Sequence, residues 1–237
     1  MVSPRATTPP FSGLPAPRAS GLREPIFPPF PLAPSAVPDF SFERPHWTAG
    51  RLVAGLDEAG RGCLAGPVAA AAVVFPMDLD PAALGELTDS KKLSPEKRAA
   101  LVPVIYREAL GVGVGWCSAL EIDETNVLRA ALEAMRRAVL DLALAPAALL
   151  VDGNRPLPRP PAPQEPIVKG DGRSLSIAAA SVVAKVLRDR HMEALDARYP
   201  AYGFAGHKGY PTAAHYDALD AHGPSDEHRR TFRLVRR

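Results

Sequence analysis

Apolar runs of strand length recur along the chain, and several end abruptly on a carboxylate beside glycine. Residues 51–57 carry Leu52, Val53, Ala54 and Leu56, stop at Asp57-Glu58, and turn through Gly60-Arg61-Gly62. Such a short, bounded apolar run reads as a buried strand. A second run covers 66–75, and a third, with alternating glycines, covers 112–118. The run 148–152 breaks at Asp152-Gly153-Asn154, and the short run 166–169 stops at Gly170-Asp171.

Helical periodicity fills the spaces between the later runs. Ser94-Pro95-Glu96 supplies a cap, a first-turn proline and an early acid for a helix over 94–110. Leu128, Leu132, Met135, Val139 and Leu142 form one stripe of a long helix over 121–145, with Met135 read as core. A further helix starts near Arg173, capped by Asp171 or Ser174, and runs to 190 or beyond; another spans 212–222. Strands cluster first and then alternate with helices. That order predicts an α/β fold, a mixed five-stranded sheet flanked by helices, with a C-terminal helical extension.

Residues 1–48 are of different composition. Many of the 27 prolines fall here, too densely for a helix or the interior of a sheet. The segment reads as a disordered or polyproline-like tail, with Phe27, Phe30, Phe40 and Phe42 interleaved. The folded domain is then expected over 49–237.

Composition narrows the class. A chain of 237 residues can bury one good core and carry an accessory segment. A net charge of +2 gives no global field that would advertise nucleic acid. The end of the chain, 228–237, is strongly basic; it reads as a solvated end that can also contact phosphate. Two cysteines without paired spacing exclude a disulfide framework and a cysteine-based zinc site. No run reaches the length of a membrane helix, and the first residues lack the charged-then-apolar order of a secretory leader. A cytoplasmic protein is expected.

Three strand ends that each deliver an acid point to metal-assisted chemistry on a phosphodiester. Asp57-Glu58, Asp152 and Asp171 are hard oxygen donors suited to Mg²⁺ or Mn²⁺, and Arg61 between two glycines suits phosphate. Each acid also has an ordinary reading: a solvated strand end for Asp57-Glu58, a turn aspartate for Asp152, a helix cap for Asp171. Tyr210 alone reads as a half-buried amphipathic residue. His207, His215, His222 and His228 lack metal-site spacing and read as packing or phosphate contacts.

The ordered set of motifs resembles bacterial ribonuclease HII, a family of the ribonuclease H-like superfamily, over about residues 51–233. It runs from Asp57-Glu58-Ala59-Gly60-Arg61-Gly62 and Asp89-Ser90-Lys91-Lys92-Leu93 through Glu121-Ile122-Asp123 with Asn126, then Val151-Asp152-Gly153-Asn154 and Lys169-Gly170-Asp171. It continues with Ser176 to Ser181, Ala184-Lys185-Val186, Arg188-Asp189 and His207-Lys208-Gly209-Tyr210-Pro211-Thr212. Gly223-Pro224-Ser225, His228-Arg229 and Phe232 close it. Cys63, where proline is commoner, and Gly172-Arg173, in place of Ala-Lys, depart from the pattern without removing an acid.

The resemblance implies a ribonuclease H-like fold and an endoribonuclease. Such an enzyme cuts RNA paired with or joined to DNA, including at single ribonucleotides embedded in duplex DNA, leaving 5′-phosphate and 3′-hydroxyl ends. It implies that Asp57, Glu58, Asp152 and Asp171 bind two divalent ions, Mn²⁺ or Mg²⁺. Gly60, Arg61 and Gly62 would read the ribose 2′-hydroxyl through backbone groups, and Tyr210 would stack on the neighbouring deoxyribose. Lys91, Lys92 and Lys185 would contact phosphates or order the acids. The expected partners are RNA–DNA hybrid and ribonucleotide-containing duplex DNA, with no membrane and a monomeric chain. A silent hybrid-binding protein is the rival from another class, disfavoured by the presence of all four acids; a DNA-cutting nuclease or integrase is disfavoured by the Gly-Arg-Gly loop and Tyr210.

Overall fold

A computed structural model describes residues 37–236, all within one compact unit. The prolines, Phe27 and Phe30 of the first 36 residues lie outside the described residues. Five strands form one sheet: β1 (Val53–Ala59), β2 (Val68–Val74), β3 (Gly111–Cys117), β4 (Ala148–Asp152) and β5 (Gln164–Ile167), in the order β3-β2-β1-β4-β5. The first three pair antiparallel, while β4 runs parallel to β1 and β5 parallel to β4. The mixed sheet is as expected, with strand limits within about two residues of the sequence reading.

Both faces of the sheet are covered. β2 is buried at every position, Ala69 to Ala72 included. Its small side chains admit a helix on each side. One is α4 (Val127–Leu140), whose buried face is largely alanine: Ala130, Ala131, Ala134 and Ala138, with Met135 and Val139. Of the stripe expected to form this face, Met135, Val139 and Leu142 are buried as read. Leu128 and Leu132 are only partly buried, because the alanines meet β3 where it has no side chains. A Cβ on Gly113 or Gly115 would strike the carbonyl oxygens of Ala138 or Ala134. The alternating glycines of β3 therefore set the helix-to-sheet distance.

The opposite face carries the 24-residue α5 (Leu175–Arg198), with α2 (Pro95–Glu108) beside it. α5 is capped by Ser174, whose hydroxyl accepts from the Ile177 N–H. Asp171 is therefore not the cap. The expected helix over 121–145 is two helices, α3 (Ala119–Glu124) and α4. Asn126 breaks the run and caps α4 by accepting from the Arg129 N–H. Ser118 and Glu121 form a reciprocal capping box on α3. α6 (Phe204–His207) and α7 (Ala213–His222) form the C-terminal extension.

Two segments differ from the sequence reading. Residues 39–48 were expected in the tail, yet they pack against the domain. The helix α1 (Arg44–Thr48) forms there, Phe40 is buried against Trp47 and Phe75, and Asp39 bridges to Ser174. Glu43 is fully buried and its Oε1 accepts from Ser174 Oγ at 2.6 Å and from the Ser176 N–H at 3.0 Å. A carboxylate at a helix N-terminus satisfies otherwise unpaired amides and meets the positive end of the dipole. The basic end of the chain is also partly interior rather than solvated throughout: His228 is 1% and Arg229 0% exposed.

Candidate active site

β1 and β4 run in the same direction, so their C-terminal ends reach the same edge of the sheet. Their register pairs Leu56 with Val151. One step further along this ladder lie Asp57 and Asp152. Two carboxylates 95 positions apart in sequence thus start from neighbouring points of the backbone. Asp57 and Glu58 are successive residues of a strand, so their side chains leave opposite sides of the pleat. The strand's end at Ala59 leaves both at the rim.

Asp57, Glu58 and Asp152 line one cavity of about 330 Å³ together with Gly60, Arg61, Gly62, Ser90, Lys91, Ser181, Lys185 and Tyr210. Asp171 lies in the adjoining groove, which Asp152 and Lys91 also line, with Lys92, Lys169 and Arg173. The structure therefore brings all four predicted acids to one edge, with Asp152 and Lys91 common to both hollows. Lys92 is on the groove side only.

Each carboxylate has a polar partner. Asp57 Oδ1 accepts from the Glu58 N–H at 2.7 Å. Asp152 Oδ1 accepts from the Gly170 N–H at 2.7 Å. Asp171 Oδ2 meets Lys91 Nζ at 3.1 Å. Glu58 Oε1 meets Arg61 Nη1 at 3.1 Å, so the arginine expected to await phosphate is paired within the site.

Crowding perturbs the acids in one direction. Burial pushes Asp57 well above its ordinary value, and the neighbouring charges of Glu58 and Asp152 push the same way. Burial also raises Glu58, against the opposing pull of Arg61. Asp152 is raised by burial and then by Asp171. Lys91 moves up to about 12; burial opposes its charge, but Asp171 and Asp57 outweigh it. A cluster of acids that resist joint ionisation is a site that a divalent cation would relieve.

The donor set is all oxygen and suits Mg²⁺ or Mn²⁺ chemically. Among the described residues, however, no three His, Cys, Asp or Glu side chains already converge as a ligand cage. The lysine ammonium is the counter-charge in this arrangement.

Sequence reasoning did not assign Ser90 and Ser181. Their hydroxyls hydrogen-bond at 2.8 Å, both are buried, and Ser181 also supports the Asp57 carboxylate. Small hydroxyl residues carry no spacing signal that would have found them. Tyr210 is 39% exposed, with Lys185 Nζ 5.4 Å and Arg188 Cζ 5.9 Å from its ring centre. Lys185 itself is held by Asp189 at 2.7 Å.

The histidines form a packed network. The Ser225 N–H donates to His228 Nδ1, His228 Nε2 lies 3.0 Å from His215 Nε2, and His215 Nδ1 lies 2.9 Å from the Tyr210 carbonyl oxygen. Only one assignment satisfies every contact with neutral rings: His228 donates to His215, which donates to Tyr210. The packing role expected for these rings holds for His207, His215 and His228. They lie on the scaffold behind Tyr210.

Residues 54–235 match the family model described as Ribonuclease HII. A Ribonuclease HII of Syntrophotalea carbinolica is 58% identical over 186 residues, which is 78% of this chain and 87% of the relative. Among solved structures, the ribonuclease H2 of Pyrococcus horikoshii has a TM-score of 0.64 at 28% identity, over 78% of this chain and 95% of that one. The ribonuclease HII of Archaeoglobus fulgidus, solved in a complex with PCNA, has a TM-score of 0.65 at 26% identity, over 78% and 97%. The chain belongs to the ribonuclease HII family, endoribonucleases of the ribonuclease H class.

Proposed function

We propose that this chain hydrolyses the RNA strand of RNA–DNA hybrids and incises duplex DNA at single embedded ribonucleotides. The products carry 5′-phosphate and 3′-hydroxyl ends, and the task served is ribonucleotide removal during DNA replication and repair. The observation that carries this reading is the adjacency of Asp57 and Asp152 at the rim of a cavity that also holds the Gly60-Arg61-Gly62 turn and Tyr210.

In this reading Asp57, Glu58, Asp152 and Asp171 hold two divalent ions, Mg²⁺ or Mn²⁺. When bound, such a pair supplies an activated water and stabilises the leaving 3′-oxygen of an in-line displacement. The chain's own groups do the rest. Lys91 leaves Asp171 and turns to a phosphate oxygen. The backbone groups of Gly60, Arg61 and Gly62 exchange hydrogen bonds with the ribose 2′-hydroxyl, the group that separates RNA from DNA at one position. A deoxyribose there leaves those groups unpaired, a rejection worth about 10⁴-fold in sites of this type. The Tyr210 ring supports the adjoining deoxyribose, and Lys92 and Lys185 bear on the phosphate backbone. The active unit is taken as a cytoplasmic monomer.

The test is incision of a duplex with one ribonucleotide by the full chain, with Mg²⁺, with Mn²⁺ and with neither. An all-deoxy duplex is the control. Cutting beside the ribonucleotide alone supports the reading. Cutting of the all-deoxy duplex at a comparable rate, or none of either, overturns it.

A further inference from the structure

Arg188 and Arg229 are the largest fully buried side chains among the described residues, both 0% exposed. Such groups ordinarily have a carboxylate partner. Here every hydrogen bond the two guanidiniums make among the described residues goes to a main-chain carbonyl. Arg229 Nη2 donates to Gly60 O at 2.7 Å, and Nη1 donates to Arg61 O at 2.9 Å. Its Nε and Nη2 both reach Gly66 O, at 3.0 and 2.9 Å. Arg188 takes the next carbonyls, Ala65 at 3.2 Å and Pro67 at 3.0 Å, and also Lys208 at 2.9 Å. The turn that leaves β1 is therefore held from beneath by two charged forks.

Holding a carbonyl fixes more than the carbonyl. In a trans peptide the C=O and the following N–H point in opposite directions, and there are no cis bonds among the described residues. With the oxygens of Gly60 and Arg61 drawn toward Arg229, the N–H groups of Arg61 and Gly62 face away from it. The same three residues, Gly60, Arg61 and Gly62, line the cavity. Neither N–H donates to a main-chain acceptor within the turn. Gly60 has φ of +100°, and a Cβ on it would fall inside the Arg188 side chain. The glycine is what lets this close seating form.

We propose that Arg229 is a positioning residue for substrate recognition: by gripping the Gly60 and Arg61 carbonyls it aims the Arg61 and Gly62 N–H groups into the cavity as fixed donors for an oxygen of the ribonucleotide. The inference rests on the reading of Gly60–Gly62 given under the proposed function. Donors fixed before the substrate arrives need no reorganisation during reaction. A guanidinium can do this because its donors form a planar fork. A lysine keeps the charge but offers one point, which cannot span three carbonyls.

The test is Arg229→Lys in the full chain, with kcat and KM on the one-ribonucleotide duplex, Kd for an all-DNA duplex, and the melting temperature. The expected result is a fall in kcat of about 10²-fold, with the Kd for all-DNA duplex within about threefold of the parent. A kcat within that same margin, or equal losses in kcat and all-DNA affinity, overturns the proposal. If the variant does not fold, backbone order parameters of Arg61 and Gly62 in the parent chain without nucleic acid decide: about 0.85 supports a held turn, and below about 0.6 overturns it. A parent chain that folds but leaves the ribonucleotide uncut refutes the proposed function; the order parameters still judge the arginine's grip.

Discussion

Lys91 Nζ stands 3.1 Å from Asp171 Oδ2 and lines both the cavity of Asp57 and the groove of Asp171. One ammonium thus bridges two hollows that share an acidic rim. It offsets repulsion that burial would otherwise intensify. The lysine is largely exposed, so the pair itself contributes only about 0.5 kcal/mol.

Lys91→Met removes that counter-charge. In EDTA the variant is expected to melt slightly below the parent. On adding Mg²⁺ it is expected to gain more than the parent, because the cation then has more repulsion to relieve. Thermal melts with and without Mg²⁺ check this; equal shifts in the two proteins would refute the counter-charge role.

Asp57→Asn is expected to abolish incision, by at least about 10²-fold, while raising metal-free stability by on the order of 1 kcal/mol. The sign follows from the raised folded-state value of Asp57. A raised carboxyl contributes stability below its unfolded value, and that stability is lost as pH rises through the folded value. Parent minus variant stability in EDTA should therefore fall as pH climbs from about 4. Denaturant melts across pH measure the difference; a flat or rising curve contradicts the burial argument.

His228 works in the opposite sense. Burial, then the neighbouring His215 and Arg230, lower it to about 4. A depressed histidine contributes stability above its unfolded value, lost as pH falls through the folded value. The window runs from about 6.5 down to about 4, and the full loss is roughly 3 kcal/mol. His228→Gln keeps a donor toward His215 but cannot titrate. It should show a shallower decline over that window, read by urea melts at a series of pH values.

Phe40→Ala tests the segment before β1. Phe40 is 1% exposed and packs on Trp47 and Phe75, so truncation should cost about 3 kcal/mol. A chain starting at residue 49 also loses Glu43 from the start of α5, next to Asp171, and should melt lower still and cut more slowly. Unchanged melting on either change would place residues 39–48 outside the folding unit.

Gly60→Ala places a methyl where Arg188 lies and demands a positive φ of an alanine. A cost of about 2 kcal/mol is expected, with a larger proportional loss of incision than of stability. Parallel melting curves and incision rates give the comparison.

The strands and the acids were legible because they depend on local pattern. An apolar run that stops at Asp57 or Asp152 declares both the strand and the edge. Asn126 was harder: a stripe through 128–142 hides the break just before it, since one cap residue competes with a long periodic signal. The buried roles of Arg229, Arg188 and Glu43 were not legible, although Arg188 and Arg229 stand among the motifs of the resemblance. A charged side chain in sequence reads as surface, and these contacts span 121 or more positions: Arg229 with Gly60 and Arg61, Arg188 with Ala65 and Pro67, Glu43 with Ser174 and Ser176. Only packing shows that such charges are spent on carbonyls and helix-end amides.

The side-by-side start of Asp57 and Asp152 comes from hydrogen bonds between two interior strands, which fix neighbouring backbones about 4.8 Å apart. The proposed reaction centre therefore takes its spacing from two interior strands of the sheet. Drift in the core's side-chain identities leaves that spacing untouched, whereas a slip of one residue between β1 and β4 would turn one acid away from the other. Heat should silence this enzyme only when the sheet itself parts.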